Sequence, residues 1–503
     1  MLKISSPHGL GLTDDAISYI AASRALLAGQ GFTRIWLASG LEPITHWPPF
    51  FSFSLATLSR VSGIEPYRSA RVLNTLIFGA NAGILGLLGY KMTKSHLAGI
   101  LLSTLFLSNS SFLRLHAQAL SEPLYLFISL LAFLAFYKAF EILPHAGVNS
   151  PPLGGRCPQD RGGQHKYLIL AGLLTALSYL TRYAALSLLA TLIVAIFILR
   201  PTWRKRFSSL AFFLAGALPV ILTWMLRNKL VGGSATNRII EWHPVTAENA
   251  QRGLRAFFLF IVPLQELRAN WFENYSFLAI ILSLITLILL FWLLPRGLRY
   301  FFTPKENTQP EILSFMTALY IFGYMGSLLV SLSLFDAATP LNDRILSPIY
   351  VAFLIMAVYF IHKLFGQGKI VTQIFSVALS ISFLAIFSFA QVNTVKLLRE
   401  SAQGFASWRW RESTVMEAIR TLPDDTLIYT NQPPAVYFWT DRPAMMIWDV
   451  EYMQEALRSK NAALAIFFPA DEDSPEFQAW LVELTEGLEP IQKSGLGNLY
   501  RKK

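Results

Sequence analysis

The sequence predicts an all-α polytopic membrane protein that ends in a small α/β domain, and three observations carry that prediction. Of its 503 residues, 53% are hydrophobic and only 15% are charged, a balance foreign to a water-soluble chain of this length. Apolar stretches of roughly 17–25 residues recur, long enough to cross a hydrocarbon core about 30 Å thick as helices that satisfy their own backbone polar groups. After residue 391 the composition turns soluble.

Residues 1–70 come first and read as an external loop with short helices. In TDDAISYIAASRALLAGQGF, Thr13 or Asp14 provides a cap, apolar residues recur at helical spacing, and Gly29 and Gly31 supply stops. This segment is expected to lie on the membrane surface. MLKISSPHGLGLTDD carries neither a signal peptide nor a first apolar span, so either the first span inserts in reverse or the start is truncated.

The membrane region follows over residues 71–391. About ten apolar stretches can be read, at approximately 71–90, 97–113, 121–140, 167–181, 183–200, 207–230, 275–295, 311–335, 345–364 and 370–391. Short cytoplasmic loops collect Lys and Arg. Lys91 and Lys94, Lys138 through Lys166, Arg200 through Arg206, Arg296 through Lys305, and Lys363 and Lys369 fall on alternate connections. Those connections are expected to face the cytoplasm. Residues 1–70, the links near Arg114, Arg182 and Asp343, the loop 231–274 and the tail 392–503 would then share the outer side. Within that loop, RGLRAFFLFIVPLQELRANWF mixes Arg with Phe, Leu and Trp, as an interfacial helix bordering a lipid groove would. The tail offers strands at TLIYT, LAIFF and GNLYRKK and helices at RESTVMEAIRTL and PEFQAWLVELTEG, a small extracytoplasmic α/β domain.

The net charge of +11 is spread over membrane-flanking loops, which suits lipid headgroups and gives no nucleic-acid footprint. The single cysteine, Cys157, lies in a Gly/Pro-rich loop and forms no internal disulfide.

Four motifs, in this order and all at the outer face, resemble the GT-C superfamily of polyprenyl-phosphate-sugar-dependent glycosyltransferases, which includes protein O-mannosyltransferases and lipid A aminoarabinose transferases. They are DDAISYIAASRALLAGQG followed by HWPPFFSFSLATLSRVSG in the first loop, SEPLYLF at 121–127, LTRYAALSLL at 180–189, and NDRILSPIYVAFLIM at 342–356. The resemblance covers roughly residues 10–391. That family's first loop normally follows a transmembrane helix, which this sequence lacks.

The resemblance implies a multi-pass cell-membrane enzyme, its active site extracytoplasmic, that moves a sugar from a polyprenyl-phosphate carrier to an acceptor. Inverting transfer needs a carboxylate to take the acceptor's proton. Asp14 matches the family's acidic position, with Asp15 as support or alternative base. Acids at a helix start are also stabilised by the dipole, so capping competes with that reading. Glu122, at the outer mouth of a span, is a further catalytic candidate, although Ser-Glu-Pro is also a common helix start. The departing phosphate calls for a guanidinium. Arg344 in NDRILSP is the first choice and Arg182 in LTRY the second; snorkelling to headgroups is the competing reading for both. His46 sits where the family places a residue near the phosphate. Aminoarabinose transferases have Lys-Pro-Pro there, and Trp47 before Pro48 and Pro49 leaves no Lys to carry over. Tyr19, Trp47 and His116 are candidate substrate-lining residues, with an interfacial aromatic belt or headgroup contact as the plainer alternative.

These acids and histidines lack zinc-ligand spacing, so no metal site is assigned and dependence on a divalent metal is left open. Nothing resembles a nucleotide-binding fingerprint. The expected partners are the lipid-linked donor, membrane lipids and an unspecified acceptor, with no nucleic acid. A polytopic transporter or lipid-carrier flippase is the rival class. Charges clustered at span ends rather than at midplane argue against it.

Overall fold

The computed structural model describes every residue except 142–160, 237, 239, 265–274, 306–308, 337–338, 448–449, 460, 470–472 and 503. Cys157 and the end of the 252–272 segment lie outside the described residues.

Among the described residues, seven helices are long and apolar enough to cross a membrane: Pro66–Thr93, Glu122–Phe140, Trp203–Gly232, Ser276–Phe302, Ile312–Leu334, Asp343–Phe365 and Ile370–Ser401. The remaining three expected stretches are helical but differ from simple spans. Residues 97–113 fall on two helices, His96–Ser108 and Ser110–His116, bent by 64°. The bend sits at Asn109, whose extended backbone breaks the first helix while its side chain accepts from Ser111 N at 3.0 Å and caps the second. Tyr183–Leu199 is shorter, and Arg161–Thr181 does not reach the apolarity of a span. Among the described residues, length and composition alone identify seven spans, or eight with the bent pair.

Charge divides the bundle into two ends. At one, Lys91 pairs with Glu141 (3.4 Å) and Lys363 with Glu311 (2.6 Å). There Arg200 donates to Ala139 O, while Arg206 donates to Arg200 O and Phe301 O. These contacts tie neighbouring helix ends together through the carbonyls a helix C-terminus leaves unpaired. The opposite end holds Glu122, Arg182 and Arg344.

The helix Asp14–Leu27 forms as the sequence predicts, capped by Thr13, whose hydroxyl accepts from Ala16 N at 3.3 Å. It does not present one face to a surface: Ala16 through Ser23 are all buried, enclosed by the helix Phe50–Ser62 and by the soluble domain. Its small residues allow this close approach on every side. Arg24 fixes its far end, reaching Glu65 at 2.9 Å and Asp441 of the soluble domain at 3.5 Å.

A three-residue strand-like segment sets the helix's start. Gly11 exchanges backbone bonds with Ala117 O (2.7 Å) and Ala119 N (3.0 Å) on one side. Leu12 does so with Gln403 O (3.2 Å) and Phe405 N (2.9 Å) on the other. Between those partners Gly404 has φ +57, and a Cβ there would collide with Leu12 O, a double reason for glycine.

The soluble domain is a five-stranded mixed sheet in the order Met445–Met446, Leu427–Thr430, Ala462–Phe467, Gly497–Lys502, Leu488–Ser494. The first two pairings are parallel and the last two antiparallel. Ala462–Phe467 is buried at every position, as expected of a central strand covered on both faces. Thr414–Thr421 and Pro433–Thr440 contribute to the core on one face, and Val450–Ser459 and Pro475–Leu484 to the core on the other. The strands expected at TLIYT, LAIFF and GNLYRKK are present. Met445–Met446 and Leu488–Ser494 complete the sheet.

Candidate active site

Because residues 10–12 are hydrogen-bonded to 117–119, the first turn of the helix Asp14–Leu27 stands beside the first turn of the span Glu122–Phe140. Two further elements end at the same place. Arg182 lies between the helix Arg161–Thr181 and the short helical turn Tyr183–Ala185, and Arg344 is in the first turn of Asp343–Phe365. Asn342 caps that turn, its side chain accepting from Arg344 N (3.1 Å) and Ile345 N (3.2 Å).

Glu122, 1% exposed, is the hub. Its Oε1 lies 2.6 Å from Arg344 Nε and 2.6 Å from Arg182 Nη1. Arg344 also donates from Nη2 to Asp15 Oδ2 at 2.8 Å. Arg182 approaches Ser121 Oγ at 3.5 Å, and Ser121 donates to the Tyr19 hydroxyl at 3.3 Å. Two guanidinium groups are thus held by two carboxylates drawn from distant parts of the chain. A buried carboxylate left unpaired would carry a desolvation penalty of several kcal/mol, which the two guanidinium groups offset here.

Asp14 differs from Asp15. It is exposed and makes no ion pair among the described residues. Partial burial of the carboxyl, then the adjacent Asp15 charge, raise its pKa above the ordinary aspartate value. The Asp14 carboxylate is thus unpaired among the described residues and more basic than an ordinary aspartate.

His46 and Trp47 form the next wall with a residue the sequence reading did not single out. Arg34, in the two-stranded hairpin Thr33–Arg34 and Glu42–Pro43, sits with Nη2 at 2.7 Å from each His46 ring nitrogen and 5.3 Å from the Trp47 ring. Burial first, then Arg34, lowers the His46 pKa to about 4, so the imidazole is neutral near pH 7 and accepts from the guanidinium. The Arg34 Nε is buried and has no hydrogen-bond partner among the described residues. Asp15 and Arg238 also act on His46, the carboxylate raising its pKa and the guanidinium lowering it. Arg238 itself is paired with Asp336. Arg34 escapes sequence reading because an Arg in a short polar hairpin has no period or motif around it.

Tyr19 lies behind the cluster, nearly fully buried and edge-on to Phe51 at 5.3 Å. His116 is not brought to the site. It is 0% exposed, with one ring nitrogen 2.8 Å from Phe112 O, the other 3.2 Å from Asn81 Nδ2, and its ring against Phe78. It packs between helices, enclosed by Asn81, Phe112 and Phe78. No group of three or more His, Cys, Asp or Glu among the described residues could hold a metal ion; Asp15 and Glu122 are already bound to guanidinium groups.

No family model matches the chain, and no curated protein matches it by sequence. Solved structures do. ArnT from Cupriavidus metallidurans bound to undecaprenyl phosphate aligns with a TM-score of 0.56 at 11% identity, over 99% of this chain and 95% of that one. The Archaeoglobus fulgidus oligosaccharyltransferase tethered with an acceptor peptide containing the NVT sequon aligns at 0.53 and 11%, over 97% and 70%. The archaeal oligosaccharyltransferase AglB from the same organism, in complex with an inhibitory peptide and a dolichol-phosphate, aligns at 0.55 and 10%, over 94% and 67%. The chain therefore shares its fold with these solved structures, as its motifs led us to expect.

Proposed function

We propose that this chain is a membrane glycosyltransferase that moves a sugar from a polyprenyl-phosphate carrier to an extracytoplasmic acceptor with inversion at the anomeric carbon. The observation that carries the reading is the cluster itself: two guanidinium groups rigidly held at one end of a membrane bundle, with an unpaired carboxylate beside them. Lipid phosphates bound to two proteins of the same fold support the donor class.

In this reading Glu122 and Asp15 position the arginines. Arg344 commits Nε and Nη2 to them, leaving Nη1 without a partner among the described residues. Groups fixed in this way need little reorganisation when charge develops on the leaving phosphate. Asp15 and Glu122 offset much of the charge of Arg182 and Arg344 while holding their N–H groups in place, and Arg34, whose Nε has no partner among the described residues, adds a further cation beside the neutral His46. The acceptor oxygen attacks the anomeric carbon, and its proton passes to Asp14. The bond from that carbon to the phosphate oxygen breaks, and its electron pair leaves on the carrier phosphate. The basic end of the bundle faces the cytoplasm and the cluster faces outward, which suits a cell-membrane enzyme using a translocated lipid donor.

The test is transfer or release of label by the purified protein from a panel of polyprenyl-phosphate sugars, with Asp14→Asn and Arg344→Ala alongside. Turnover of one donor, lost in both variants, is expected. Full activity in Asp14→Asn would remove the base assignment, and no turnover of any donor would favour a carrier-lipid transporter.

A further inference from the structure

The soluble domain contains a second concave site, away from the carboxylate cluster. A cavity of about 360 Å³ opens between the C-terminal end of the central strand and the helix Pro475–Leu484, within the usual size range of small-molecule sites, roughly 300–1,000 Å³. Its lining is mostly aromatic: Trp410, Phe468, Phe477 and Trp480 contribute, with the amides of Asn431 and Gln432 at one edge. Among the described residues, no lining residue carries a charge.

Each feature narrows the occupant. Trp410 is braced against Phe467 at 4.8 Å and Phe405 at 4.9 Å, and Phe477 against Trp480 at 5.6 Å, so the rings are held in place before anything binds. Asn431 is used structurally: it donates to Phe467 O (2.7 Å) and accepts from Phe467 N (3.0 Å), fixing the strand end. Gln432 has no side-chain hydrogen bond among the described residues, so its amide offers both a donor and an acceptor. Rigid aromatic faces attract the weakly positive C–H face of a pyranose ring, and a free amide at the rim answers its equatorial hydroxyls. An anionic headgroup or phosphate would find no cation here, and a purely apolar ligand would leave Gln432 unanswered.

The cavity is also wired to the catalytic loop. Phe405, which braces Trp410, donates its backbone N–H to Leu12, two residues before Asp14. Gln432 opens the helix Pro433–Thr440, whose Tyr437 contacts Arg24 of the helix that carries Asp14 and Asp15.

We propose that this cavity is a binding site for a neutral sugar ring, and that the ring belongs to a glycan acceptor held by the soluble domain. The binding site stands on its own geometry; only the acceptor role rests on the transferase reading. The experiment is calorimetric titration of the full-length protein in detergent with mannotriose, chitotriose, cellotriose, maltotriose and galactotriose, repeated on Trp480→Ala, Gln432→Ala and Asp14→Asn. Saturable binding of at least one trisaccharide is expected, weakened at least tenfold by Trp480→Ala and several-fold by Gln432→Ala, and unchanged by Asp14→Asn. Gln432 makes no side-chain contact that folding needs, so its variant guards against a merely unfolded domain. Absence of binding by all five sugars at millimolar concentration, or equal binding by the parent and both pocket variants, overturns the site. Saccharide binding that depends on the pocket, in a protein that turns over no lipid donor, keeps the site and overturns its acceptor role.

Discussion

At the basic end of the bundle Lys91 meets Glu141, Lys363 meets Glu311, and Arg200 and Arg206 end on main-chain carbonyls. At the opposite end Arg182 and Arg344 converge on one carboxylate that is almost wholly buried. Both ends look alike as text, a few charges flanking apolar runs. The difference is in solvent. Lys363 and Glu311 are about half exposed, and such pairs contribute about 0–1 kcal/mol. Glu122 has surrendered its hydration and depends on two partners, an arrangement suited to holding groups still rather than to fastening helices.

The widest gap between the ends should appear on deleting one partner. Glu122→Ala leaves two half-buried cations facing each other and is expected to destabilise the protein by about 3–5 kcal/mol. Lys363→Ala should change stability by no more than about 1 kcal/mol. Thermal unfolding in detergent reads both, and equal shifts would erase the distinction. Asp14→Asn should leave the unfolding temperature near that of the parent yet reduce transfer by about 10²–10⁴-fold, the usual contribution of a positioned base. Arg34→Ala should raise the donor KM by about tenfold or more, the loss of a charge-assisted hydrogen bond, with kcat changed less; Arg34→Lys should recover part of it.

The pH dependence sharpens the contrast between the adjacent acids. Asp14 must be ionised to accept a proton, and burial together with Asp15 raises its pKa. Turnover is therefore expected to fall as pH drops through a value above the ordinary aspartate range, and residual activity of Asp14→Asn should lack that limb. Stability runs the other way for this group. A carboxyl whose folded pKa exceeds its unfolded one is penalised when ionised, and that penalty is relieved as pH falls through the folded value. A kcat/KM profile with its acid limb at the unperturbed aspartate value would contradict the assignment. The smallest effect should come from chelators, since Asp15 and Glu122 are bound to Arg344 and Arg182 and no group of three or more His, Cys, Asp or Glu among the described residues could hold a metal ion. Loss of most activity in EDTA, restored by added metal, would require a different site.

Much of this arrangement is legible in the sequence. Apolar runs announced the spans, alternation of basic loops announced the two ends, and SEPLYLF, LTRY and NDRIL placed charged residues where helices begin. Their meeting was not readable, because Glu122 and Arg344 are 222 residues apart and no local pattern records a pairing of that kind. Burial misled in one case. His46 and His116 look equivalent beside aromatic and apolar neighbours, but Asn81, Phe112 and Phe78 enclose His116, while Arg34 reaches His46. The segment 10–12 was invisible for another reason: three residues are too few to show a strand period, and the edges they join lie near residues 118 and 404. The sequence does not show that Asn109 bends one apolar run or that a short helical turn follows Arg182 before Leu186–Leu199.

The most direct measurement is a structure of the protein with a non-transferable polyprenyl-phosphate sugar analogue. The phosphate is expected within hydrogen-bonding distance of Arg344 and Arg34, with the anomeric carbon turned toward Asp14. A phosphate seated instead at the basic end, against Arg200 and Arg206, would contradict the assignment of the carboxylate cluster as the donor site.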